Sequence, residues 1–242
     1  MNNIILITGA SSDIGVALIE SIREESIIIA HYNSNKLKLE KLQNEVKNKI
    51  IPIQCDFSSN NQITLMLDEI ENKIGIPNKI IHIASPKFEN IRFKNLKWDY
   101  ISNELAVGLG SITQILNRFL PKIKSEKKGK VVTILSSVTF GVPPKALAHY
   151  TIVKYALLGL MKSLASEYAS KNITLNCVSP SMVETQFLSH INSRIIELTA
   201  EAHPLKRNAI ISDIIPLILI LMSDETAYLT GANIPITGGI NF

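Results

Sequence analysis

Short apolar runs recur along this chain of 242 residues, and longer amphipathic or polar stretches separate them. Most runs are continuously apolar, which is typical of parallel strands covered on both faces, and the stretches between them are long enough for crossover helices. The pattern predicts an α/β fold with a doubly wound parallel sheet of about seven strands and helices on both faces. The predicted strands are residues 4–7, 27–30, 50–54, 79–84, 130–135, 174–178 and 233–236.

Two long helices are predicted, over residues 98–120 and 150–169, and the second carries apolar residues at helical spacing. The longest apolar stretch, residues 214–222, contains Pro216. It is shorter than the roughly 20 residues of a membrane span, so we expect a core helix there. Because no linker or repeat interrupts the pattern, we expect one domain over residues 1–242.

Composition and charge exclude several classes of protein. Only Cys55 and Cys177 are present, which argues against a disulfide scaffold or a thiolate metal site and fits a reducing cytoplasm. The net charge is +4, and the lysine-rich run over residues 122–130 lacks aromatic residues, so we expect a solvated loop there. The first apolar run has no basic leader and predicts a strand instead of a signal peptide. We therefore expect a cytoplasmic protein that binds no nucleic acid, membrane or metal.

The first predicted strand runs directly into a turn of small residues that a helix follows. Small residues let the backbone approach a pyrophosphate, and the helix N-terminus presents free N–H groups and a partial positive charge. Any tight strand-to-helix turn uses the same residues, so the turn alone is weak support for a nucleotide site. The candidate cofactor-binding residues in this turn are Thr8, Gly9, Ser11, Ser12, Asp13, Ile14 and Gly15.

Three residues in the second half of the chain are candidates for catalysis. Tyr150 and Lys154 lie one helical turn apart, and Ser137 precedes Tyr150 by thirteen residues at the end of a predicted strand. A phenol with a pKa near 10 becomes a useful acid–base group when positive charge stabilises its phenolate, and Lys154 could supply that charge. Tyr150 would exchange a proton with a substrate oxygen that Ser137 holds. Alternatively, Tyr150 packs at a helix start, Lys154 is a surface cation and Ser137 belongs to a turn.

These segments together resemble the classical short-chain dehydrogenase/reductase family, over nearly the whole chain, and are similar to its 3-oxoacyl-[acyl-carrier-protein] reductases. Residues 8–15 resemble the TGxxxGxG turn of that family, and residues 176–185 resemble its NxVxPGxxxT segment. Ser137, Tyr150 and Lys154 match its catalytic serine, tyrosine and lysine. The resemblance implies a Rossmann-type fold and hydride transfer between a nicotinamide dinucleotide and a carbonyl or alcohol. It also implies a homotetramer or homodimer built partly on the two long helices.

The resemblance implies further cofactor contacts. Asp56 would hydrogen-bond the adenine, although it could instead be an acid at a helix N-terminus. No acid stands where an NAD-selective protein grips the ribose hydroxyls, which favours NADP(H) with NAD(H) still possible. Lys36 is a candidate for the 2′-phosphate, and Ser34 and Asn35 could equally begin a helix. The remaining candidates are Asn33, Ser34, Phe57, Ala84, Ser85, Pro180, Ser181, Val183 and Thr185.

Several positions depart from the family pattern, among them Ser181, which replaces the glycine of the NxVxPGxxxT segment. Asp13 replaces a glycine of the phosphate turn, and we expect it to point to solvent or to cap the helix. Leu105 stands where the family has an asparagine of its proton relay, and Asn103 would face another side of the helix. His82 stands where the family usually has an asparagine, and we expect it to be a hydrogen-bonded structural group.

The sequence leaves two functions open. One is reduction of a carbonyl, including a 3-oxoacyl thioester on an acyl carrier protein, with Lys128 and Lys171 placed to meet that acidic partner. An apolar segment over residues 186–203 is the expected substrate lid, and its apolar side chains serve either the substrate or lid packing. The other function is a dinucleotide-binding regulatory or structural protein with little turnover, which Asp13 and Leu105 motivate.

Overall fold

The computed structural model describes residues 3–86, 89–123 and 128–240. Within these ranges a single sheet of seven parallel strands has the order β3-β2-β1-β4-β5-β6-β7. The doubly wound fold of the Rossmann type is thereby confirmed. The strands are β1 (Asn3–Thr8), β2 (Ser26–Tyr32), β3 (Lys49–Gln54), β4 (Lys79–His82), β5 (Gly129–Ile134), β6 (Ile173–Pro180) and β7 (Asn233–Ile236).

Helices cover both faces of the sheet, and side chains of the central strands alternate between two apolar cores. Leu6 of β1 packs into one core, whereas its neighbours Ile5 and Ile7 pack into the other. The helices in the described residues are α1 (Asp13–Ser21), α2 (Leu37–Glu45), α3 (Asn60–Lys73), α4 (Trp98–Leu105), α5 (Ser111–Phe119), α6 (Ala148–Tyr168), α7 (Ser193–Ala202) and α8 (Ile211–Leu221).

The helix predicted over residues 98–120 is not regular. A π-helical turn (Ala106–Gly110) separates α4 from α5. Within it, Gly108 packs so closely on α6 that an added Cβ would lie 2.7 Å from Val153 Cγ1. The Gly108 carbonyl also faces His82 at the end of β4. The contacts of Gly108 with Val153 and His82 thus both lie in the π-helical turn. A helical pattern in the sequence does not encode such contacts.

Strand β4 ends two residues before the prediction, at His82. Beyond it, the Thr8 hydroxyl accepts hydrogen bonds from the backbone N–H groups of Ile83 (3.2 Å) and Ala84 (3.3 Å), and the Ile83 N–H is shared with the Thr8 carbonyl. Helix α6 begins at Ala148, two residues before its predicted start, so Tyr150 lies in its first turn.

The apolar stretch before Met222 forms α8, and buried Ile214 and Ile218 make it the core helix that the sequence predicts. In the described residues no helix has the length and apolar character of a membrane span. The prediction of a solvated loop over residues 122–130 is wrong for Lys130, because this residue is buried in β5. Residues 124–127 of that run lie outside the described residues.

Glycine is required at two positions of the turn after β1. Gly9 has a φ of +67°, and an added Cβ would lie 2.9 Å from the Ala84 nitrogen. At Gly15 an added Cβ would lie 2.5 Å from the Ala10 carbonyl oxygen, so the start of α1 approaches the turn backbone directly. Because backbone atoms cannot move aside as a flexible side chain does, neither position accepts a larger residue without displacing the turn.

We predict that Gly15→Ala lowers the free energy of unfolding by about 1–3 kcal/mol through this overpacking. Gly159→Ala is the matched control, since no atom lies within 4 Å of its added Cβ. In the middle of α6 that change should stabilise the protein by up to about 1 kcal/mol. Urea unfolding measures both variants, and equal stability of Gly15→Ala and the wild type would contradict the close approach.

Candidate active site

The candidate residues gather at the carboxyl ends of the central strands, where the strand order reverses between β1 and β4. In open parallel sheets this crevice is the usual ligand site. Helix α1 begins just after β1, and Ser136 and Ser137 follow β5. Ser181 follows β6, while Tyr150 enters from α6. Elements far apart in sequence therefore meet at one edge of the sheet.

A buried hydrogen-bond chain holds this edge together. The Thr8 hydroxyl already accepts from two backbone N–H groups, so its proton is donated to His82 Nδ1, 2.8 Å away. His82 Nε2 then carries the ring proton and donates it to the Gly108 carbonyl at 3.0 Å. Burial lowers the pKa of His82 to about 3, and Lys154 adds to the effect, so the ring stays neutral. The structural role expected for His82 is confirmed, and Thr8 shares that role.

A second buried histidine organises the nucleotide end. His31 Nδ1 accepts from the Gly9 N–H at 3.1 Å, and its Nε2 donates to the Cys55 carbonyl at 3.0 Å. Burial lowers the pKa of His31 to about 4. Its ring stacks on Phe57 at 3.8 Å between centroids, so the Phe57 side chain is already committed within the protein. A contact between Phe57 and adenine stays a prediction.

Asp13 neither points to solvent nor caps α1, which corrects the expectation for this residue. Ser12 is the N-cap and accepts from the Gly15 N–H at 3.1 Å. The Asp13 carboxylate accepts instead from Lys38 Nζ at 2.8 Å and from the Gln186 N–H at 2.7 Å. Burial acts to raise the pKa of Asp13, but these hydrogen bonds outweigh it and the pKa lies below its usual range. The phosphate turn is thereby tied to the start of the lid.

The residues directly after β2 are exposed. Helix α2 begins at Leu37, with Lys36 before it, and no side chain caps it. The alternative that Ser34 or Asn35 begins this helix is therefore wrong. Asn33, Ser34 and Asn35 lie at the surface, and Lys36 pairs with Glu40 at 3.0 Å.

Asp56 lies in a tight turn before α3. Its carboxylate accepts from the Ser58 N–H and hydroxyl at 2.9 and 2.8 Å. The N-cap of α3 is Ser59, and the first turn of α3 contains no acid. The alternative that Asp56 is a helix N-terminal acid is therefore wrong, and the adenine contact stays a prediction.

The segment after β6 is pinned to its neighbours. Pro180 ends the strand, the Ser181 N–H donates to the Ile236 carbonyl at 3.0 Å, and Val183 forms an isolated bridge with Ala209. The Thr185 hydroxyl donates to the Val183 carbonyl at 3.4 Å. Like Ala84 and Ser85 after β4, these residues border the same crevice, and their contacts with a cofactor stay predictions.

Tyr150 and Lys154 lie one turn apart on α6, as their spacing predicts. Lys154 Nζ is 5.4 Å from the Tyr150 ring centroid and donates to the Ile134 carbonyl at 3.0 Å. Burial lowers the pKa of Lys154 to about 8. Burial also raises the pKa of Tyr150 to about 12, against the lowering expected from Lys154. The phenol of Tyr150 is therefore protonated at neutral pH.

The serine hydroxyl beside Tyr150 belongs to Ser136. Its hydrogen bond with Tyr150 lowers the tyrosine's pKa, opposing the larger effect of burial. Ser136 Oγ also accepts from the Val138 N–H at 3.4 Å, while Ser137 begins a short 3-10 turn. The catalytic role of Ser137 stays a prediction. Ser136 is a second candidate, which the sequence analysis missed because it selected Ser137 by its distance of thirteen residues from Tyr150.

Position 105 offers no polar group to the site. Leu105 packs against an apolar core, and Asn103 is exposed, as its helical position predicts. Directly before Leu105, however, Glu104 is buried, which the sequence analysis missed. The sequence feature that could have revealed Glu104 is its position one helical turn after Tyr100, where an acid and a tyrosine share one face of the helix. In the described residues no group of three or more potential metal ligands occurs.

Comparison with known proteins decides the family. A family model described as enoyl-(acyl carrier protein) reductase matches residues 9–241. The chain belongs to the short-chain dehydrogenase/reductase family. Membership makes the protein an oxidoreductase that acts on carbonyl or alcohol groups and uses a nicotinamide dinucleotide.

Relatives and solved structures match this short-chain dehydrogenase/reductase over almost its full length. It is 28% identical to a 3-oxoacyl-[acyl-carrier-protein] reductase of Staphylococcus epidermidis, over 99% of each chain. It is 25% identical to nodulation protein G of a Rhizobium species, over 97% of this chain and 95% of that one. A short-chain dehydrogenase/reductase from Serratia marcescens superposes with a TM-score of 0.89 at 21% identity, covering 98% and 97% of the two chains.

We predict that acid destabilises this short-chain dehydrogenase/reductase partly through His82. In the unfolded chain His82 takes up a proton near pH 6.5, whereas in the folded protein it stays neutral down to about pH 3. The unfolded state therefore binds more protons between these values, and stability falls as the pH falls, by about 1.4 kcal/mol per pH unit.

Urea unfolding between pH 6.5 and 4 measures this slope. His82→Gln should flatten it, because glutamine has no proton to gain, while His190→Gln at an exposed position should keep it. Parallel pH dependences for His82→Gln and the wild type would contradict the neutral buried ring.

Proposed function

We propose that this protein is an NADP(H)-dependent reductase of carbonyl groups, with a 3-oxoacyl thioester as the favoured substrate. The observation that carries the proposal is the Tyr150 phenol, held protonated beside Ser136 and Lys154 at the ligand-binding edge of the sheet. A phenol in this state is ready to protonate an oxygen, which is what carbonyl reduction requires.

The chain's own residues divide the work. The nicotinamide, when bound, supplies the hydride. Tyr150 donates its proton to the substrate oxygen, and a serine hydroxyl from Ser136 or Ser137 orients that oxygen. Lys154 brings a cation close to the tyrosine ring, which favours the phenolate that remains after proton transfer. In the reverse direction the same groups accept the proton of an alcohol.

The residues fit a dinucleotide at the turn after β1. The glycine positions fold the backbone tightly, and the first N–H groups of α1 lack intrahelical acceptors, which suits a pyrophosphate. Asp13 adds a negative charge there, but its ion pair with Lys38 offsets that charge. Exposed Asn33 and Ser34, with Lys36 following and no acid among residues 31–36, support the preference for NADP(H) over NAD(H).

The lid favours an apolar substrate. Lid packing explains Leu188, which is buried, but Phe187, Ile195 and Leu198 remain exposed. These side chains supply apolar surface next to the crevice, which an acyl chain can cover. The named relative from Staphylococcus epidermidis and a structural neighbour from Brucella melitensis are both 3-oxoacyl-[acyl-carrier-protein] reductases.

An acidic carrier protein would meet basic residues at the surface. Lys128 forms an exposed ion pair with Asp224 at 2.9 Å, and Lys171 lies 5.0 Å from the Tyr168 ring centroid. Exposed ion pairs contribute little, about 0–1 kcal/mol, so Lys128 can exchange its partner for a carrier carboxylate at small cost. We include acyl-carrier-protein binding in the proposal on this basis.

We also propose a homodimer or homotetramer built partly on the long helices. Trp98 of α4 and Ile152 and Tyr155 of α6 expose large apolar side chains. Apolar surface of this kind on neighbouring helices is typical of an interface between copies of a chain.

A dinucleotide-binding regulator is the second candidate. Asp13 at the phosphate turn and Leu105 beside the catalytic helix favour it, because neither supports rapid turnover. Both candidates bind the cofactor, so only turnover separates them.

NADPH consumption with a short 3-oxoacyl thioester and a panel of simple ketones tests the proposal, with NADH for comparison. We expect turnover of the thioester with NADPH. Tyr150→Phe should lower kcat about 10²–10⁴-fold with little change in NADPH affinity, because only the proton donor is lost. Tyr228→Phe, at a fully exposed position, is the matched control and should keep wild-type activity.

Turnover of simple ketones without turnover of the thioester would contradict the proposed substrate but support the proposed carbonyl reduction. NADPH binding without turnover of any carbonyl would favour the regulator, and full activity of Tyr150→Phe would remove the mechanism.

The two serines make separate predictions. If the Ser136 hydroxyl serves Tyr150 as the structure places it, Ser136→Ala raises the pKa seen in the pH profile of alcohol oxidation. Ser137→Ala, if Ser137 holds the substrate oxygen, lowers kcat without moving that pKa. Steady-state rates across pH measure both variants, and a pKa shift in Ser137→Ala alone would reverse the assignment.

A further inference from the structure

A buried polar cluster lies between α4 and α6 next to the catalytic pair. Glu104 and His149 are 4% and 1% exposed, and Glu104 Oε1 lies 3.9 Å from His149 Nε2. The rings of Tyr100 and His149 meet edge to face at 5.2 Å. Glu104 Oε2 and His149 Nδ1 are buried without a hydrogen-bond partner within the described residues.

Such an arrangement destabilises the fold. A buried polar group without a hydrogen-bond partner loses its hydration without replacement, and a cluster with a purely structural role would pair these atoms. Groups that exchange protons during a reaction are an exception, because their partners change with each step. The two open atoms therefore point to a role beyond packing.

The position of the cluster suggests which reaction it serves. Glu104 lies in the last turn of α4, close to the π-helical turn, and His149 directly precedes Tyr150. The carboxylate is close enough to raise the pKa of both Tyr150 and Lys154, although burial is the largest influence on each. Glu104 is thus electrostatically coupled to the catalytic pair.

The cluster also reaches the surface. The Tyr100 hydroxyl interacts with the carboxylates of Glu104 and of exposed Glu89. Tyr100 thereby links the buried acid to a group in contact with solvent.

Among the groups that face one another here, Glu104 is the one poised to titrate at neutral pH. Burial raises the pKa of Glu104 to about 7, Glu89 raises it further, and Tyr100 and Lys154 oppose the rise. Burial also raises the pKa of Tyr100 to about 12 and lowers the pKa of His149, so the tyrosine stays protonated and the imidazole neutral. Lys154 titrates next, near pH 8.

We propose that Glu104 is the proton-relay residue that restores Tyr150 after each reduction, with Tyr100 and Glu89 as its route to solvent. The inference rests on the proposed reductase function. Tyr150 gives its proton to the substrate oxygen, Lys154 gives one to the phenolate, and Glu104, whose charge influences Lys154, returns one to the Lys154 amine through water. The carboxylate left on Glu104 takes a proton from water at the Glu89 end. One solvent proton thus enters for each hydride transferred.

The relay predicts a pH dependence with a definite sign. Only protonated Glu104 can donate, so kcat for reduction falls as the pH rises through the Glu104 pKa, near neutrality. Glu104→Gln keeps the size of the side chain but cannot donate a proton in this way. It should lower kcat about 10–100-fold at pH 6 and remove the neutral transition, without changing the Kd for NADPH. Asp99→Asn, an exposed change in the same helix, is the matched control.

Two further measurements separate a relay from a structural role. Imidazole as an external proton donor should restore part of kcat in Glu104→Gln and have no effect on the wild type. NMR titration of carbon-labelled glutamates in the wild-type protein, with the Glu104 signal assigned through its backbone, should show a carboxyl that titrates near pH 7. The titration uses the wild-type protein, so it holds even if the variant folds poorly.

Three outcomes would overturn the inference. They are an unchanged neutral transition in Glu104→Gln, a rate loss that imidazole does not restore, and a Glu104 carboxyl that titrates in the ordinary acidic range. Failure of the proposed function looks different, since the wild type itself would then reduce no carbonyl while Glu104 still titrates near neutrality.

Discussion

The hydrogen-bond chain from Thr8 through His82 to Gly108 is the constraint on which the rest of the site depends. It joins the ends of β1 and β4 to the π-helical turn, and that turn packs on α6 through Val153. Tyr150 and Lys154 flank Val153 on the helix, so their depth in the crevice follows from this contact. Because His82 is buried and neutral, the chain keeps one tautomer throughout the pH range in which the site works.

Burial divides the titratable groups between two tasks. At the nucleotide end it holds His31 neutral, so that the ring can accept from Gly9 and stack on Phe57. At the catalytic end burial moves the pKa values of Lys154 and Glu104 toward neutral pH, to about 8 and about 7, where both groups can exchange protons. Burial favours the neutral form of each group, so it moves the pKa of His31 away from neutral pH and the pKa values of Lys154 and Glu104 toward it. The difference between the two regions lies in where the ordinary pKa of each group starts.

Asp13 shows how a departure from the family pattern finds a structural use. A glycine there would leave the phosphate turn open, whereas the carboxylate fastens the turn to Gln186 at the start of the lid. Lys38 from α2 offsets the added charge. The turn after β1 and the segment that begins at Gln186 are thereby physically linked through one side chain, which the glycine pattern alone does not suggest.

The sequence by itself determined the succession of strands and helices along the chain, the glycine turn after β1, and the one-turn spacing of Tyr150 and Lys154. These features depend on local apolar runs and helical periodicity, which neighbouring residues encode. Only the tertiary structure decided that a π-helical turn interrupts the helix at Gly108, that Ser136 meets Tyr150, and that Glu104 is buried. Each of these results from contacts between segments distant in sequence, whose geometry appears only when the sheet and helices pack.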